Sequence, residues 1–253
     1  MADGMAITWI GHATVLLELD GARVLTDPVL GGWAGPLRRF APSPAPEASA
    51  IDADVVLVSH LHADHADLPS LRQLEHARPR MAVAHGAGEW LRERGIPDVA
   101  ELRAGEGLQA GPLRVEATFA AHQGRRHPLG IDVAPVGFVV RGSRTVYFAG
   151  DTDLFTAMAD LAGTIDVALL PVWGWGRSLG PGHLDPERAA QAAARIAPRI
   201  AIPIHWGTFS LPWPYPRPSD SQAPARAFAT AMARIAPAVD ARVLQPGERV
   251  ELP

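Results

Sequence analysis

Four potential metal ligands lie together in the segment Ser59-His60-Leu61-His62-Ala63-Asp64-His65. Three imidazoles and one carboxylate fall within six residues, although the whole chain has only ten histidines. Imidazole suits ions such as zinc and iron, and carboxylate adds a harder ligand. In a tight loop, His60 and His62 can share one ion while Asp64 and His65 turn toward a second. A polar surface loop with chance histidines fits this spacing poorly, so the segment predicts a metal site.

Three further candidates, each just beyond a predicted strand, are His122, Asp151 and His205. Strand ends at one edge of a sheet are a natural place for ligands to converge. Taken singly, each residue can also be interpreted as a satisfied polar residue or a helix cap. Their common position after strands is what makes them candidates for the same site.

The elements that must position these residues are predicted from apolar runs and turn residues. Ten strands are expected, at Ala6–Ile10, Thr14–Leu19, Ala22–Thr26, Val55–Val58, Met81–Ala84, Leu113–Phe119, Val136–Val140, Thr145–Phe148, Val167–Leu170 and Ile200–Ile204. Five helical stretches are expected, at 68–77, 87–94, 154–161, 186–196 and 223–235.

Local signals and element order indicate the architecture. Asp20-Gly21 predicts a hairpin turn, and Asp185 followed by Pro186 predicts the start of helix 186–196. Residues 28–50, rich in Gly, Pro and Ala, predict a long surface loop. Strands come first and later mix with helices, which indicates two sheets with helices outside. We expect one α/β domain over residues 1–253, although two small domains would also fit the length.

The composition excludes several kinds of chemistry. With no cysteine, disulfides, thiolate ligands and a cysteine nucleophile are impossible. With no lysine, since all 23 basic residues are arginine, Schiff-base chemistry and the usual phosphate-loop lysine are excluded as well. The net charge of −4 gives no specific nucleic-acid signal.

The N-terminal segment lacks the basic start and the small-residue cleavage site of a signal peptide. No apolar run approaches the ~18 residues of a membrane-spanning helix. We therefore expect a cytoplasmic protein without a transmembrane segment. A homo-oligomer is left open.

The order H-x-H-x-D-H, then His, then Gly-Asp-Thr, then His resembles the metallo-β-lactamase superfamily along nearly the whole chain. The resemblance implies an α/β fold, a four-layer αββα sandwich, with its site at one edge of the two sheets. It also implies two divalent ions, expected to be zinc, with manganese or iron as alternatives. The implied ligands are His60, His62 and His122 for one ion, Asp64, His65 and His205 for the other, and Asp151 as a bridge between them.

Shorter motifs narrow the resemblance to one branch of that superfamily. They are Trp9-Ile10-Gly11-His12-Ala13-Thr14, Thr26-Asp27-Pro28, Phe148-Ala149-Gly150-Asp151-Thr152, His183-Leu184-Asp185-Pro186 and Ile204-His205-Trp206-Gly207-Thr208-Phe209. They are similar to the branch that contains N-acyl-phosphatidylethanolamine phospholipase D, with the ascorbate-6-phosphate lactonase group as a more distant relative. True β-lactamases of this fold have no bridging aspartate where Asp151 stands, which argues against β-lactam hydrolysis.

The resemblance implies hydrolysis by a hydroxide that bridges the two ions. The expected substrate is a phosphodiester, small or lipid-like, and the alternative is a lactone or other ester. Asp64 and His183 are the expected catalytic residues. The resemblance places His183 at a site-facing position for substrate contact or proton donation, whereas a structural role would only pack or cap. Its position before helix 186–196 should favour anionic substrates and make its imidazolium easier to deprotonate.

Several other residues have both a functional and a structural interpretation. Asp27 and His12 can orient the ligands, or can be buried hydrogen-bonding residues. Arg125 and Arg126 can bind a phosphate, or can belong to a solvated loop. Pocket walls or ordinary core packing are the alternatives for Trp173, Trp175, Trp206 and Trp213.

Two other classes of function use the same ligand set. Some relatives of this fold carry a di-iron redox centre that reduces oxygen or nitric oxide, but they usually pair it with a flavin domain. No such domain fits in 253 residues. The other class is a metal-binding protein without catalysis, and the complete ligand set argues against that degenerate site.

Overall fold

The computed structural model describes residues 4–41, 51–126, 130–176, 180–215 and 219–252. In chain order its strands are β1 (Met5–Gly11), β2 (Thr14–Leu19), β3 (Ala22–Thr26), β4 (Trp33–Ala34), β5 (Leu37–Arg39), β6 (Val55–Val58), β7 (Arg80–Ala84), β8 (Val99–Leu102), β9 (Gly107–Ala110), β10 (Leu113–Phe119), β11 (Val136–Arg141), β12 (Thr145–Phe148), β13 (Val167–Pro171), β14 (Ile200–Ile204), β15 (Phe209–Ser210), β16 (Asp240–Ala241) and β17 (Glu248–Leu252). The α-helices are α1 (Leu68–Leu74), α2 (Gly88–Arg92), α3 (Pro186–Ile196) and α4 (Ala223–Ile235).

Two seven-stranded sheets carry the fold, and they share one pairing pattern. The first sheet has the order β17-β1-β2-β3-β6-β7-β8, and the second has the order β16-β14-β13-β12-β11-β10-β9. Each sheet has an antiparallel half with three pairings and a parallel half with three pairings; the antiparallel half begins at β17 in the first sheet and at β9 in the second. Parallel neighbours need crossover connections, so helices are expected in the parallel half of each sheet.

The helices follow from those crossovers. Helix α1 connects β6 to β7 and α2 connects β7 to β8, while α3 connects β13 to β14 and packs against α4. A single cluster of buried side chains includes Val15 and Leu57 from the first sheet and Phe138 and Leu169 from the second. The sandwich of two sheets with outer helices, implied by the family resemblance, is confirmed.

The predicted strands are confirmed, whereas strands at the edges of the sheets were missed. All ten predicted strands lie within one residue of an observed strand, and Asp20-Gly21 forms the hairpin turn between β2 and β3. Asp185 caps α3, because its side chain accepts a hydrogen bond from the Arg188 amide at 2.7 Å. The stretch 154–161 forms a 3₁₀ helix at Thr156–Leu161 instead of an α-helix.

The strands that the sequence did not predict are short or polar. Strand β17, at the edge of the first sheet, has mostly exposed and partly exposed residues, so it lacks the continuous apolar run that marks a buried strand. Strands β8 and β9 have only four residues each, and β16 has two. The predicted loop 28–50 contains β4 and β5, which form a small sheet with β15, and residues 42–50 lie outside the described part. In the described ranges, no helix has the length and apolarity needed to cross a membrane.

Candidate metal centre

All seven ligands predicted from the sequence lie together at one edge of the two sheets. The first sheet contributes the segment Ser59–His65, which directly follows β6. The second sheet contributes His122 beyond β10, Asp151 beyond β12 and His205 beyond β14. The residues therefore meet because the sheets present these strand ends on the same side of the sandwich.

Three imidazoles form the first group of potential ligands, at His60, His62 and His122. The His62 Nδ1 atom lies 2.9 Å from His60 Nε2 and 3.3 Å from His122 Nε2. Ligands bound tetrahedrally at ~2.0–2.1 Å from a zinc ion stand about 3.3 Å apart. The three nitrogens therefore have the spacing of ligands that share one ion.

Carboxylate and imidazole form the second group, in which His65, His205 and Asp64 approach each other, with His12 beside them. The two Nε2 atoms of His65 and His205 are 3.0 Å apart, and each lies 3.8 Å from Asp64 Oδ2. A mixed nitrogen and oxygen set of this kind suits zinc, iron or manganese.

Asp151 lies between the two groups. Its Oδ1 is 3.3 Å from His205 Nε2, while its Oδ2 is 3.2 Å from His65 Nε2 and 4.0 Å from His122 Nε2. Asp151 is 2% exposed, and within the described residues its Oδ1 has no hydrogen-bond partner. A buried carboxylate oxygen without a donor is costly unless a cation compensates it.

The outer nitrogens of three of these imidazoles donate to main-chain carbonyls. His62 Nε2 donates to Arg125 O at 3.0 Å, His122 Nδ1 to Gly182 O at 2.8 Å, and His205 Nδ1 to Trp173 O at 2.7 Å. A carbonyl can only accept, so in each neutral ring the proton is on the outer nitrogen. The inner nitrogen of each ring is then a lone-pair donor directed into the centre.

For His60 and His65, the acceptors of the outer protons are the buried side chains of Ser59 and Asp27. The Ser59 hydroxyl donates to Asp27 Oδ2 at 2.6 Å, so its oxygen can accept from His60 Nδ1 at 2.9 Å. His65 Nδ1 donates to the same Asp27 Oδ2 at 2.7 Å. Asp27 also accepts from the Ser59 amide at 2.7 Å, which fixes its orientation. Second contacts of this kind typically orient metal-binding imidazoles.

The hydrogen-bond pattern is a test of whether these residues fit metal ions. The outer nitrogens of five imidazoles face acceptors, so in the neutral rings the inner nitrogens, 2.9–3.3 Å from each other, are bare. Facing lone pairs repel, whereas a cation between them is attracted to all of them. The donor set, its tautomers and the unpaired oxygen of Asp151 therefore fit two divalent ions.

Burial sets the charge states of the centre. It lowers the pKa of His122 to about 4 and of His205 to about 3, so both rings are neutral near pH 7. Burial would raise the pKa values of Asp64 and Asp151, but the neighbouring histidines outweigh it and hold both well below the usual range. The pKa of His65 is lowered by burial but raised more by the charges of Asp151 and Asp64. Two buried anions thus share a site with mostly neutral imidazoles.

The backbone around the centre is strained. His12, Asp27 and His205 have φ values of 53°, 32° and 63°, in the left-handed region that few residues other than glycine adopt. Such conformations cost about 1–3 kcal/mol each and are concentrated at functional sites. Gly150 has a φ of 59°, and a Cβ there would lie 2.8 Å from the Ser59 side chain, so glycine allows Asp151 to approach this loop.

His183 lies where the family resemblance places it, facing the centre. Its Nε2 is 3.4 Å from Asp151 Oδ2, and its Nδ1 donates to Gly180 O at 3.2 Å. The expectation that its imidazolium would be easier to deprotonate was wrong. Burial lowers the pKa of His183, but the hydrogen bond and charge of Asp151 raise it more.

The two arginines after His122 support the loops of the site. Arg126 donates to Leu61 O and to Ala66 O, and its guanidinium lies 4.5 Å from the ring centre of Trp90. Arg125 pairs with Asp132 at 3.1 Å. In this arrangement Arg126 Nη1 holds the loop that carries His62 and Asp64 in place.

Two clefts flank the loop that carries His183. The larger, about 990 Å³, is lined by His122 and Gly182 together with His85, Arg103 and Arg125. The smaller, about 500 Å³, has five aromatic residues in its lining, Phe40, Trp173, Trp175, Phe209 and Tyr215. Trp206, by contrast, is 1% exposed and packs against Trp9 in the core.

Some groups at the site were not assigned a role from the sequence. Ser59 was quoted in the first motif without a role, and its position directly before His60 at a strand end is the signal that could have indicated one. The carbonyls of Arg125, Trp173 and Gly182 act through the main chain, which carries no sequence signal. Only the folded loops reveal them.

Comparisons with known proteins agree with this geometry. The family model described as Beta-lactamase superfamily domain matches residues 22–206. A UPF0173 metal-dependent hydrolase of Methanopyrus kandleri is 34% identical over 212 residues, covering 81% of this chain and 85% of that protein. The N-acyl-phosphatidylethanolamine-hydrolyzing phospholipase D 1 of Caenorhabditis elegans is 30% identical over 237 residues, covering 82% and 65%.

Solved structures and other relatives extend the comparison. Igni18, a metallo hydrolase of Ignicoccus hospitalis, superposes with a TM-score of 0.74 at 24% identity and covers 99% of each chain. At that identity the likeness concerns the fold. The chain spans 62% of the length of the mycobacterial proteins that head the curated relatives, which are 33% identical to it.

Proposed function

The chain belongs to the beta-lactamase superfamily, and from that premise we propose that it is a metal-dependent hydrolase with a dinuclear centre. The two ions are held by His60, His62 and His122 on one side and by Asp64, His65 and His205 on the other, with Asp151 shared. The observation that carries the proposal is the common tautomer of five imidazoles, whose bare nitrogens converge beside two buried carboxylates. Zinc is the proposed ion, and manganese or iron would also suit these ligands.

The residues around the centre have separate tasks in the proposed reaction. Divalent ions at such a site lower the pKa of water and stabilise the negative charge that develops on the substrate. Ser59 and Asp27 orient the rings of His60 and His65, while Asp64 and Asp151 supply the anionic ligands. His183, 3.4 Å from Asp151 and partly exposed, is placed to give a proton from Nε2 to a leaving group.

We infer a phosphodiester as the substrate, with a lactone or other ester as the alternative. A related protein is named for hydrolysis of a phospholipid, and the bridging position holds an aspartate. The aromatic cleft beside Trp173 suits an apolar part of the substrate, because its rings offer a large apolar surface. A lipid-like ester would place its polar group at the centre and its apolar group in that cleft.

Zinc loading tests the dinuclear site. We expect about two zinc ions per chain by elemental analysis after reconstitution and desalting. An ion whose free concentration is ~100–1,000 times its Kd stabilises the folded chain by about 2.7–4.1 kcal/mol. For a chain of this size that corresponds to a rise in Tm of ~5–15 °C for each ion, relative to the chelated protein. Saturation at one ion, or an unchanged Tm, would contradict the dinuclear proposal.

A panel of chromogenic substrates tests the substrate class. We expect the zinc-loaded protein to cleave bis-p-nitrophenyl phosphate faster than nitrocefin, because the bridging residue is Asp151. Lactones and thioesters in the same panel test the alternative electrophiles. Chelated protein is the control, and its activity should return with zinc. Faster nitrocefin cleavage, or turnover that survives chelation, would refute the assignment.

A further inference from the structure

His12 lies in the turn between β1 and β2, which carries none of the seven proposed ligands. Its ring is fully buried and its φ is 53°. Several hydrogen bonds hold its backbone: the His12 amide donates to Thr208 Oγ1 at 2.8 Å, and the His12 carbonyl accepts from Trp9 Nε1 at 2.9 Å. The same carbonyl accepts from the His205 amide at 2.8 Å. A strained turn fixed at so many points places its side chain accurately.

The protonation of the His12 ring differs from that of the five proposed ligand rings. Those rings donate an outer nitrogen to an acceptor, whereas His12 Nδ1 is buried without a hydrogen-bond partner in the described part of the chain. The other nitrogen, Nε2, lies 2.9 Å from Asp64 Oδ2. The proton of the neutral ring therefore belongs on Nε2, where it donates to the carboxylate. A nitrogen that carries this proton has no lone pair to offer an ion.

Asp64 is the residue that this hydrogen bond controls. Its Oδ2 stands 3.8 Å from the Nε2 atoms of both His65 and His205. Without a donor at His12, the carboxylate could rotate away from that position. The His12 ring also packs on the His205 ring, with centroids 3.8 Å apart, so it contacts two members of the second group.

We propose that His12 is a positioning residue that aligns Asp64 for the second ion through an Nε2–H hydrogen bond. This inference rests on the proposed dinuclear centre. It assigns His12 to the second ion alone, because the first group consists of His60, His62 and His122, none of which it hydrogen-bonds. Loss of a residue that orients a metal ligand typically weakens metal binding by ~10–100-fold.

Two substitutions separate this role from packing. His12→Gln can place an amide N–H near the position of Nε2, whereas His12→Asn places its amide near Nδ1, out of reach of Asp64. Asparagine tolerates positive φ, so the Asn variant should not fail through backbone strain. His76→Gln is the matched control, because His76 is on the exposed 3₁₀ turn after α1.

The readout is zinc affinity, measured by competition with a chromogenic chelator on the full chain. We expect His12→Asn to weaken the binding of one of the two zinc ions by ~10–100-fold and to leave the affinity for the other unchanged. We expect His12→Gln to have an affinity within a few-fold of the wild type. The chelated variants should remain folded, although truncation of the buried ring lowers the Tm of His12→Asn. Wild-type zinc affinity in His12→Asn, or equal weakening of the binding of both ions, would each overturn the inference. Failure of the wild type to bind two ions would instead refute the dinuclear centre.

Discussion

Replacing Asp151 with alanine is expected to weaken the binding of both zinc ions and to lower phosphodiester turnover by at least ~10³-fold. The expected loss of turnover is this large because metal ions at such sites supply several kcal/mol of transition-state stabilisation. The reason is its position: its oxygens approach His65 and His205 in one group and, at 4.0 Å, His122 in the other. A terminal ligand belongs to one group only. His62→Ala should therefore weaken one ion and largely spare the other.

The measurement is zinc stoichiometry and affinity beside turnover of bis-p-nitrophenyl phosphate. Asp151→Asn preserves the side-chain shape and guards against loss of fold in the alanine variant. Asp153→Asn is the control, because this carboxylate is two residues away and pairs with Arg188 outside the centre. If Asp151→Ala retains two tightly bound ions and near-normal turnover, Asp151 is not the bridge.

Replacing His183 with alanine is expected to retain both ions but to slow cleavage by ~10²–10⁴-fold, the usual contribution of general acid catalysis. The His183 ring faces Asp151 from the loop before α3, with 24% of its side chain exposed. It is therefore close to the centre and also accessible to a leaving group. It belongs to neither proposed ligand set, which is why the ions should remain.

The leaving group separates proton donation from positioning. A dialkyl phosphodiester releases an alkoxide that needs a proton, so its cleavage should suffer the full loss. Bis-p-nitrophenyl phosphate releases p-nitrophenolate, which departs without a proton, so its cleavage should change little. His85→Ala, at the wall of the larger cleft, is the matched histidine control. Equal losses on both substrates would contradict proton donation, and no loss on either would make His183 a structural residue.

The sequence was sufficient for the family and for the central strands because both depend on strong local signals. The family resemblance is confirmed by the match to residues 22–206. Strand β6 is a continuous apolar run that ends directly at the histidine motif, so its position and direction were readable. The assignment of individual residues to each ion stays a prediction, although the structure brings all seven together.

Other features could not be read because they arise from tertiary contacts. Strand β17 alternates charged and apolar residues at the edge of the first sheet, and pairing with β1 is what makes it a strand. The main-chain carbonyls that fix the histidine tautomers come from loops distant in sequence. The pKa of His183 was expected from its helix alone, and the contact with Asp151 reversed the direction.

The division of the ligands between the two sheets has a consequence for how the protein matures. His60, His62, Asp64 and His65 follow a strand of the first sheet, whereas His122, Asp151 and His205 follow strands of the second. Neither sheet alone supplies a complete set for either ion. Before the sheets dock, each half would offer the proposed ions only an incomplete ligand set, so we expect tight binding to follow docking. Bound at this edge, the proposed ions would join the two halves, so we expect separation of the sheets and release of metal to occur together.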